Sequence, residues 1–434
     1  MRVQLKTLGC RLNEAELETW AREFQQAGYR VVDETEEADL LVLNSCAVTQ
    51  DATRKSRGLI RKLGRENPGA KIILSGCYAT LEPDEAATLG VDLVVDNQHK
   101  HRLVTLAQEK LPPETMPAHS TDPEGSALFR LGRHRAFIKV QDGCRYRCSY
   151  CIVTLARGEE RSRSLKAIVE EIQGFETQGI GEVVLTGVHL GGYGSDTGSH
   201  LTELVATVLA ETRIPRIRLG SLEPWDLSDE FIALFQNHRL MPHLHLPLQS
   251  GSDAVLKRMA RRTRRADFLD LTARLRHGVP GINLTSDIIV GFPGETQAEW
   301  EETLSLVDTV GFGDLHIFSY SPRPGTGAAE MSPRIPGNIQ AERSRELHAL
   351  AKQQKLQAMR QWIKTTRPVL WEGLREIEGK TWVSGYTPEF HRVGLWVDAA
   401  AAASLPYSIR ATEITGFDPS QACLTGHLSG ADRA

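Results

Sequence analysis

No stretch of 18 consecutive apolar residues occurs anywhere in the 434-residue chain, so no segment is expected to cross a bilayer as a helix. The opening stretch MRVQLKTLGC lacks the charged-then-apolar build of a secretion signal, and a cytoplasmic protein is the expectation. Neither sign of charge dominates: 51 Lys and Arg face 55 Asp and Glu, a formal net charge of -4. Global charge therefore gives no guide to nucleic-acid binding, which has to rest on local patches. Cysteine is scarce and odd in number, seven in all. That excludes a disulfide-stapled scaffold and, in a reducing compartment, favours metal or catalytic use. What is present, 41% hydrophobic and 24% charged residues, suits a large folded enzyme with two or three cores.

Three of the cysteines fall within eight residues, at Cys144, Cys148 and Cys151. A 4Fe-4S cluster is normally closed by four thiolates, so this C-x3-C-x2-C loop leaves one iron open to another ligand. Structural zinc needs four protein ligands, usually as two close pairs. The nearest His or Cys after Cys151 is His189, beyond a predicted helix and strand, which makes zinc the weaker reading.

Residues 1–112 read as a parallel α/β domain. Strands are expected at 2–8, 39–45 and 70–76 and helices at 14–27 and 51–65, with Asn13 and Asp51 as N-caps. Cys10, Cys46 and Cys77 each follow one of those strands by one or two residues. Carboxyl ends of parallel strands share one edge, where ligands bind, so the three thiols should converge into a second incomplete cluster site. The alternative is three independent buried cysteines acting as small hydrophobes. The Pro-rich, polar stretch around 113–130 reads as a linker.

Between 131 and 364 the pattern is six strand-helix repeats, with strands at 135–141, 182–187, 215–220, 243–248, 285–290 and 314–319 and a long helix at 339–364. Six repeats suit an open (β/α)6 partial barrel whose site lies at the carboxyl ends of the strands, and the cysteine loop starts at that face. Residues 365–430, with strands at 368–372, 381–386, 392–397 and 408–416, read as a small antiparallel β-barrel of the OB-like kind. Six Lys/Arg against eight Asp/Glu from 365 to 434 lend that barrel no support as an RNA binder. Cys423, outside both cysteine sets, is expected to be a structural thiol.

Four strand ends carry segments where a nucleoside cofactor could approach the backbone: Thr186-Gly187-Val188-His189, Ser221-Leu222-Glu223-Pro224, Pro247 to Gly251 around Gln249, and Ile289-Val290-Gly291-Phe292. Two basic clusters stand out. Residues 133–166 hold nine Lys/Arg against three Asp/Glu, among them Arg157, Arg161 and Arg163; the second cluster is Lys257, Arg258, Arg261, Arg262, Arg264 and Arg265. Each is either a contact for a polyanion or a solvated face, the usual meaning of a charge run.

Taken together, Leu8-Gly9-Cys10-Arg11-Leu12-Asn13, Asn44-Ser45-Cys46-Ala47-Val48-Thr49, Ser75-Gly76-Cys77-Tyr78, the loop 141–151, Arg157 to Arg163 and Ser286 to Thr296 resemble the methylthiotransferases. These are radical S-adenosylmethionine (SAM) enzymes with a second N-terminal iron-sulfur cluster and a C-terminal TRAM barrel. The resemblance implies two 4Fe-4S clusters, at Cys144, Cys148 and Cys151 and at Cys10, Cys46 and Cys77, with chemistry on the clusters rather than on a side-chain acid or base. It implies SAM on the open iron, beside Tyr150 and the strand-end residues Gly187, Ser221, Glu223, Gln249, Ile289, Gly291 and Phe292. It also implies a tRNA substrate met by Arg157, Arg161 and Arg163, a low-potential donor such as flavodoxin or ferredoxin, and a monomer. Cys46-Ala-Val-Thr, Gly76-Cys77-Tyr78, Val140 to Cys144 and Gly385-Tyr386-Thr387 are most similar to the branch acting on N6-threonylcarbamoyladenosine, on the 3′ side of the anticodon. Val153-Thr154-Leu155 departs from that branch, which has an apolar-Pro-Tyr segment there. The rival readings are methylthiolation of isopentenyladenosine in tRNA or of a ribosomal-protein side chain, and a non-catalytic iron-sulfur protein that binds RNA or carries electrons.

Overall fold

The computed structural model describes residues 1–33, 36–111 and 135–429; the stretch read as a linker lies outside the described residues. Strands β1 (Arg2–Thr7), β2 (Arg30–Val32), β3 (Leu40–Ser45), β4 (Lys71–Gly76) and β5 (Leu93–Val95) form a parallel sheet in the order β2-β1-β3-β4-β5. All six residues of β3 are buried, as a central parallel strand covered on both faces requires. The two outer strands, three residues each, are too short to leave a period in the sequence.

Two cap expectations are corrected. Helix α1 (Arg11–Gln26) starts behind Cys10, and Asn13 lies inside its first turn. Helix α2 (Gln50–Glu66) is capped by Thr49, whose hydroxyl accepts from the Ala52 N–H at 3.1 Å, with Asp51 in the first turn. Both α1 faces are used. Trp20 and Phe24 enter the sheet core, while the buried Glu18 accepts the Phe137 N–H at 2.9 Å. That bond satisfies part of an open strand edge in the next domain.

There, β6 (Arg135–Lys139) leads into β7 (Gln141–Asp142), which pairs antiparallel with β8 (Arg161–Ser162). Then follow β9 (Glu182–Thr186), β10 (Arg216–Leu219), β11 (His243–His245), β12 (Asn283–Val290) and β13 (Asp314–Ser319). Parallel pairing runs β6-β9-β10, crosses to β11 through the Ile217–Leu240 and Ser221–His245 bridges, and continues β11-β12-β13. The result is an open arc of six parallel strands with helices outside, as the repeats predict. Leu347 and Ala351 seat the long helix Gly337–Arg360 on the same core.

The last five strands, β14 (Thr366–Ile377), β15 (Lys380–Tyr386), β16 (Arg392–Val397), β17 (Ile409–Asp418) and β18 (Cys423–Leu428), close a barrel in the order β14-β15-β16-β18-β17. It is not wholly antiparallel, since β16 and β18 pair parallel. The strand β18 and the helix Ala399–Ser404 were not foreseen. Cys423 is fully buried in β18.

A layer of ion pairs at the amino ends of the central strands joins the two barrels. Glu182, which opens β9, accepts from Arg218 at 2.8 and 3.1 Å. Arg218 also donates to Pro388 O at 3.1 Å, and Arg216 to Pro368 O and Tyr386 O. Burial would raise the Glu182 carboxyl, but Arg218 first, then Arg135 and Arg216, outweigh it and hold it at about 2. Its contribution is therefore complete above the ordinary glutamate range and is lost as pH falls toward 2. We expect Glu182→Gln to lower the melting temperature at neutral pH, with the gap to wild type closing between about pH 4.5 and 2. A gap that stays constant across that window would contradict this account.

Candidate active site

The β7–β8 pair clamps the base of the loop that carries Cys144, Cys148 and Cys151. Gly143 takes φ 75°, and a Cβ there would stand 1.9 Å from Glu159 O, so only glycine lets the two stems approach. Inside, the Cys144 N–H donates to Gly158 O at 3.0 Å and the Cys151 N–H to Cys148 O at 2.9 Å. The departing segment Val153-Thr154-Leu155 opens a short helix, Val153–Arg157; Thr154 Oγ1 donates to Tyr146 O at 2.8 Å and Leu155 is exposed. The loop's tip packs Tyr150 into Val255, Met259, Ile289, Phe292 and Ala328, so three of the residues expected beside SAM meet there. Gly291 turns between two of them at φ 74°. Gln249 is held at φ 78°, hydrogen-bonded to β12 on both sides, and left-handed backbone at a non-glycine residue costs energy that functional sites often retain.

His189, first met as the distant alternative ligand, comes within 4.8 Å of Cys144 together with Glu160. Its Nδ1 lies 2.5 Å from Glu160 Oε1 and its Nε2 3.6 Å from Glu223 Oε2. Cys148 and Cys151 are outside that group, so the three loop thiols do not converge on a single zinc, around which thiolates at about 2.3 Å from the ion would sit close together.

The second cysteine set converges at the carboxyl edge of the N-terminal sheet. Gly9 takes φ 121°, and a Cβ on it would lie 2.9 Å from Cys46 Cβ. Cys77 begins the short helix α3 (Cys77–Leu81) directly after β4. Asn13, expected as a cap, instead stitches this edge: its Nδ2 donates to Leu8 O and Ser45 O at 2.8 and 3.2 Å. Asn97 Nδ2 lies 3.8 Å from Cys77 Sγ and donates to Ala156 O at 2.8 Å, reaching from one cysteine set to the loop of the other.

Burial pushes the Cys144 thiol up to about 12 and those of Cys46 and Cys151 to about 11, and raises Cys10. Cys10 is enclosed by protein yet open to an internal cavity, which is why it is both accessible and desolvated. Thiols so placed become thiolates only beside added positive charge, which cluster iron provides. Within each set the thiols lie close enough to act on one another electrostatically, and three such donors without a fourth are the chemistry that a cluster with one open iron would take.

Arg157 belongs elsewhere than expected. It is 3% exposed, and its Nη1 donates to Glu16 Oε1 at 2.9 Å and Asp142 Oδ1 at 3.0 Å while Nη2 donates to Asn13 Oδ1 at 2.7 Å. Lys100 and Lys139 reach the same two carboxylates. Burial works against both acids, but Arg157 foremost, then the lysines, holds them well below the usual carboxylate range. Arg157 is thus withdrawn from the RNA-contacting set and becomes the bolt between the two cysteine-bearing domains. Arg163 is engaged by Glu171 at 2.7 Å; Arg161 remains exposed. The second basic cluster is split: Lys257, Arg262 and Arg264 are exposed, while the other three are half-buried and engaged. Arg258 makes a bidentate pair with Glu299, Arg265 caps carbonyls, and Arg261 stacks 4.6 Å from Trp225 beside Cys148 and Tyr150.

A cavity of about 650 Å³ runs along the inside of the open barrel, from Gly187 and Ser221 to a floor made by the C-terminal barrel's Tyr386 and Phe390, with Cys10 and Arg11 in its wall. Asp287 on β12 lies 3.0 Å from His245 Nε2 and 3.2 Å from His316 Nδ1. Despite burial, these two rings hold its carboxyl well below the ordinary range. Phe390 sits at φ 68°, stacked on Tyr386 at 4.6 Å. None of His243, His245, Asp287, His316 or Phe390 was foreseen. The alternation His243, His245 on β11 and Thr285, Asp287 on β12 was an available signal, since polar residues at period two face one side.

An open six-stranded parallel barrel with a three-cysteine loop at its first strand defines a radical SAM protein. A family model described as the Radical SAM superfamily matches residues 138–307, and one described as Uncharacterized protein family UPF0004 matches residues 2–96. The solved radical S-adenosylmethionine methyltransferase TsrM of Kitasatospora setae has the same fold, with a TM-score of 0.56 over 76% of this chain and 77% of that one at 17% identity. The threonylcarbamoyladenosine tRNA methylthiotransferase of Thermotoga maritima is 41% identical over 85% of this chain and 86% of its own length. The tRNA-2-methylthio-N(6)-dimethylallyladenosine synthase of Staphylococcus haemolyticus is 34% identical, covering 88% and 77%. The chain belongs to the radical SAM methylthiotransferase family. It is accordingly an enzyme that transfers a sulfur group and uses a 4Fe-4S cluster and SAM. Among the described residues no helix is long and apolar enough to cross a membrane.

Proposed function

We propose that this enzyme converts N6-threonylcarbamoyladenosine beside the tRNA anticodon to its 2-methylthio derivative. The observation that carries the reading is the cavity itself, which joins Cys10 of one cysteine set to the strand ends beside the other and is lined by His243, His245, His316, Lys355 and Arg11. Such a lining suits a polar N6 substituent better than an apolar dimethylallyl chain, which could make no hydrogen bond to it. The 41% identity to a relative bearing that name supports the same branch.

Adenine C2–H is neither acidic nor attached to a leaving group, and a cluster with SAM at Cys144, Cys148 and Cys151 supplies the radical route the bond needs. Cys10, Cys46 and Cys77 would hold a second 4Fe-4S cluster, which would supply the transferred sulfur, and Cys10 lines the cavity. Gly187, Ser221, Glu223, Gln249, Ile289, Gly291 and Phe292, with Tyr150, would hold SAM. The protein's own work is placement. Gln141 ties the loop base to β9 by accepting the His189 N–H at 2.9 Å and donating to Gly143 O at 2.8 Å. The Tyr386–Phe390 floor excludes water from below, and Arg161 meets the RNA backbone. The electron comes from a low-potential protein such as flavodoxin or ferredoxin. The enzyme acts as a monomer, in keeping with exposed large apolar residues such as Leu155, Phe318 and Trp396 that come from separate elements.

Deleting the gene is expected to eliminate 2-methylthio-N6-threonylcarbamoyladenosine from total tRNA, measured by mass spectrometry of digested nucleosides. An unchanged level of that nucleoside would sink the proposal.

A further inference from the structure

We propose that Arg11 recognises the free carboxylate of the N6-threonylcarbamoyl group and thereby selects an anionic N6 substituent over an apolar one. This rests on the substrate proposed above and names the residue that reads it.

Arg11 opens α1 directly after Cys10 and lines the cavity. Among the described residues its guanidinium makes no hydrogen bond or ion pair; its neighbour is the ring of Phe390, 5.4 Å away. Apart from Arg392, which lines the cavity on β16 and serves below as the control, the cationic side chains nearby are committed. Arg135 pairs with Glu372 at 2.6 Å, Arg218 with Glu182 at 2.8 Å, Lys355 with Asp314 at 2.6 Å, and His245 and His316 with Asp287. Once these carboxylates are assigned, Glu14, three residues along α1 on the same wall, is the nearest acidic influence on Arg11, and it makes no ion pair with it, so the guanidinium fork is left unfilled. Leaving a desolvated cation unpaired is costly, so the cavity favours an occupant that brings the missing negative charge.

The planar guanidinium fork matches a carboxylate in two parallel hydrogen bonds. Phe390 gives that fork a π face to lie against, and the ring is held there by stacking on Tyr386 in spite of its left-handed backbone. Because Arg11 adjoins Cys10, anchoring the carboxylate holds the N6 substituent beside the second thiol set. A dimethylallyl chain in the same position would leave Arg11 as unpaired as it is in the free protein.

The test uses full-length reconstituted enzyme and labelled anticodon stem-loop RNA carrying N6-threonylcarbamoyladenosine or its threonine methyl ester. Wild type should bind the acid at least about tenfold more tightly than the ester, the value of one hydrogen bond to a charged group. Arg11→Gln should bring the two within about twofold, and Arg11→Lys should keep part of the preference. The KM ratio for methylthiolation should move in the same order. Comparing acid with ester inside one protein cancels any partial loss of cluster, which iron content would reveal. A ratio unchanged in Arg11→Gln, or lost in Arg392→Gln instead, overturns the assignment while leaving the proposed reaction intact. Wild type that neither binds nor methylthiolates the acid-bearing stem-loop overturns the reaction itself, and the assignment with it.

Discussion

Cys148→Ala is expected to abolish release of 5′-deoxyadenosine from SAM under dithionite, and methylthio transfer with it, whereas Cys10→Ala should lose transfer while SAM cleavage persists. The two cysteines belong to different sets, one on the loop after β7 and the other at the edge of the N-terminal sheet. Removing a ligand from three leaves a cluster with two protein thiolates, so the loss should exceed the roughly 10–100-fold that an outer-shell partner costs. Product analysis by liquid chromatography reads both quantities in one reaction. Equal loss of cleavage in the two variants would show that the sets do not divide the work. Cleavage without transfer in Cys148→Ala would reverse their roles.

Arg157→Met should destabilise the protein by about 3–5 kcal/mol, the cost of breaking a buried ion pair from one side. Glu16 and Asp142 are both nearly sealed from solvent, with side chains 2% and 8% exposed. Without Arg157 their two negative charges share only Lys100 and Lys139, and the Asn13 carbonyl oxygen loses its charged donor. A fall in melting temperature on the order of 10 °C is expected, and adding Asp142→Asn should recover part of it. A variant that melts with wild type would refute the bolt. The contrast is Arg161→Ala, which should leave stability alone and reduce the salt dependence of RNA binding by about one phosphate contact.

How far the chain could be read in advance differs from element to element. The strand-helix alternation of the central barrel was plain because each strand is a short apolar run bounded by helical periodicity, and the observed strands fall on the expected ones to within a few residues. The edge strands β2 and β5 and the last strand β18 were not, because three to six residues carry little period and edge pairing is supplied by a neighbour. Asn13 resembled an N-cap since Asn is a common one, but its amide was needed at Leu8 and Ser45 more than at the helix end. Arg157, in a run rich in arginine, looked like a surface charge. Nothing local reveals that Glu16, 141 residues earlier, waits for it.

The sequence by itself determined the chemistry: two sets of three cysteines, one set by loop spacing and the other by its place after successive strands, are covalent facts that packing cannot alter. It also determined the order of the three architectural units, because hydrophobic period is local. Only the tertiary structure decided which charges are spent on holding those units together and which remain for a substrate. Pairing depends on residues far apart along the chain but adjacent in space, and burial sets the cost of leaving any of them alone. By that accounting Arg157 passed from substrate contact to internal bolt, and Arg11, one unremarked letter in a cysteine motif, became a cavity cation whose hydrogen-bonding fork is unfilled.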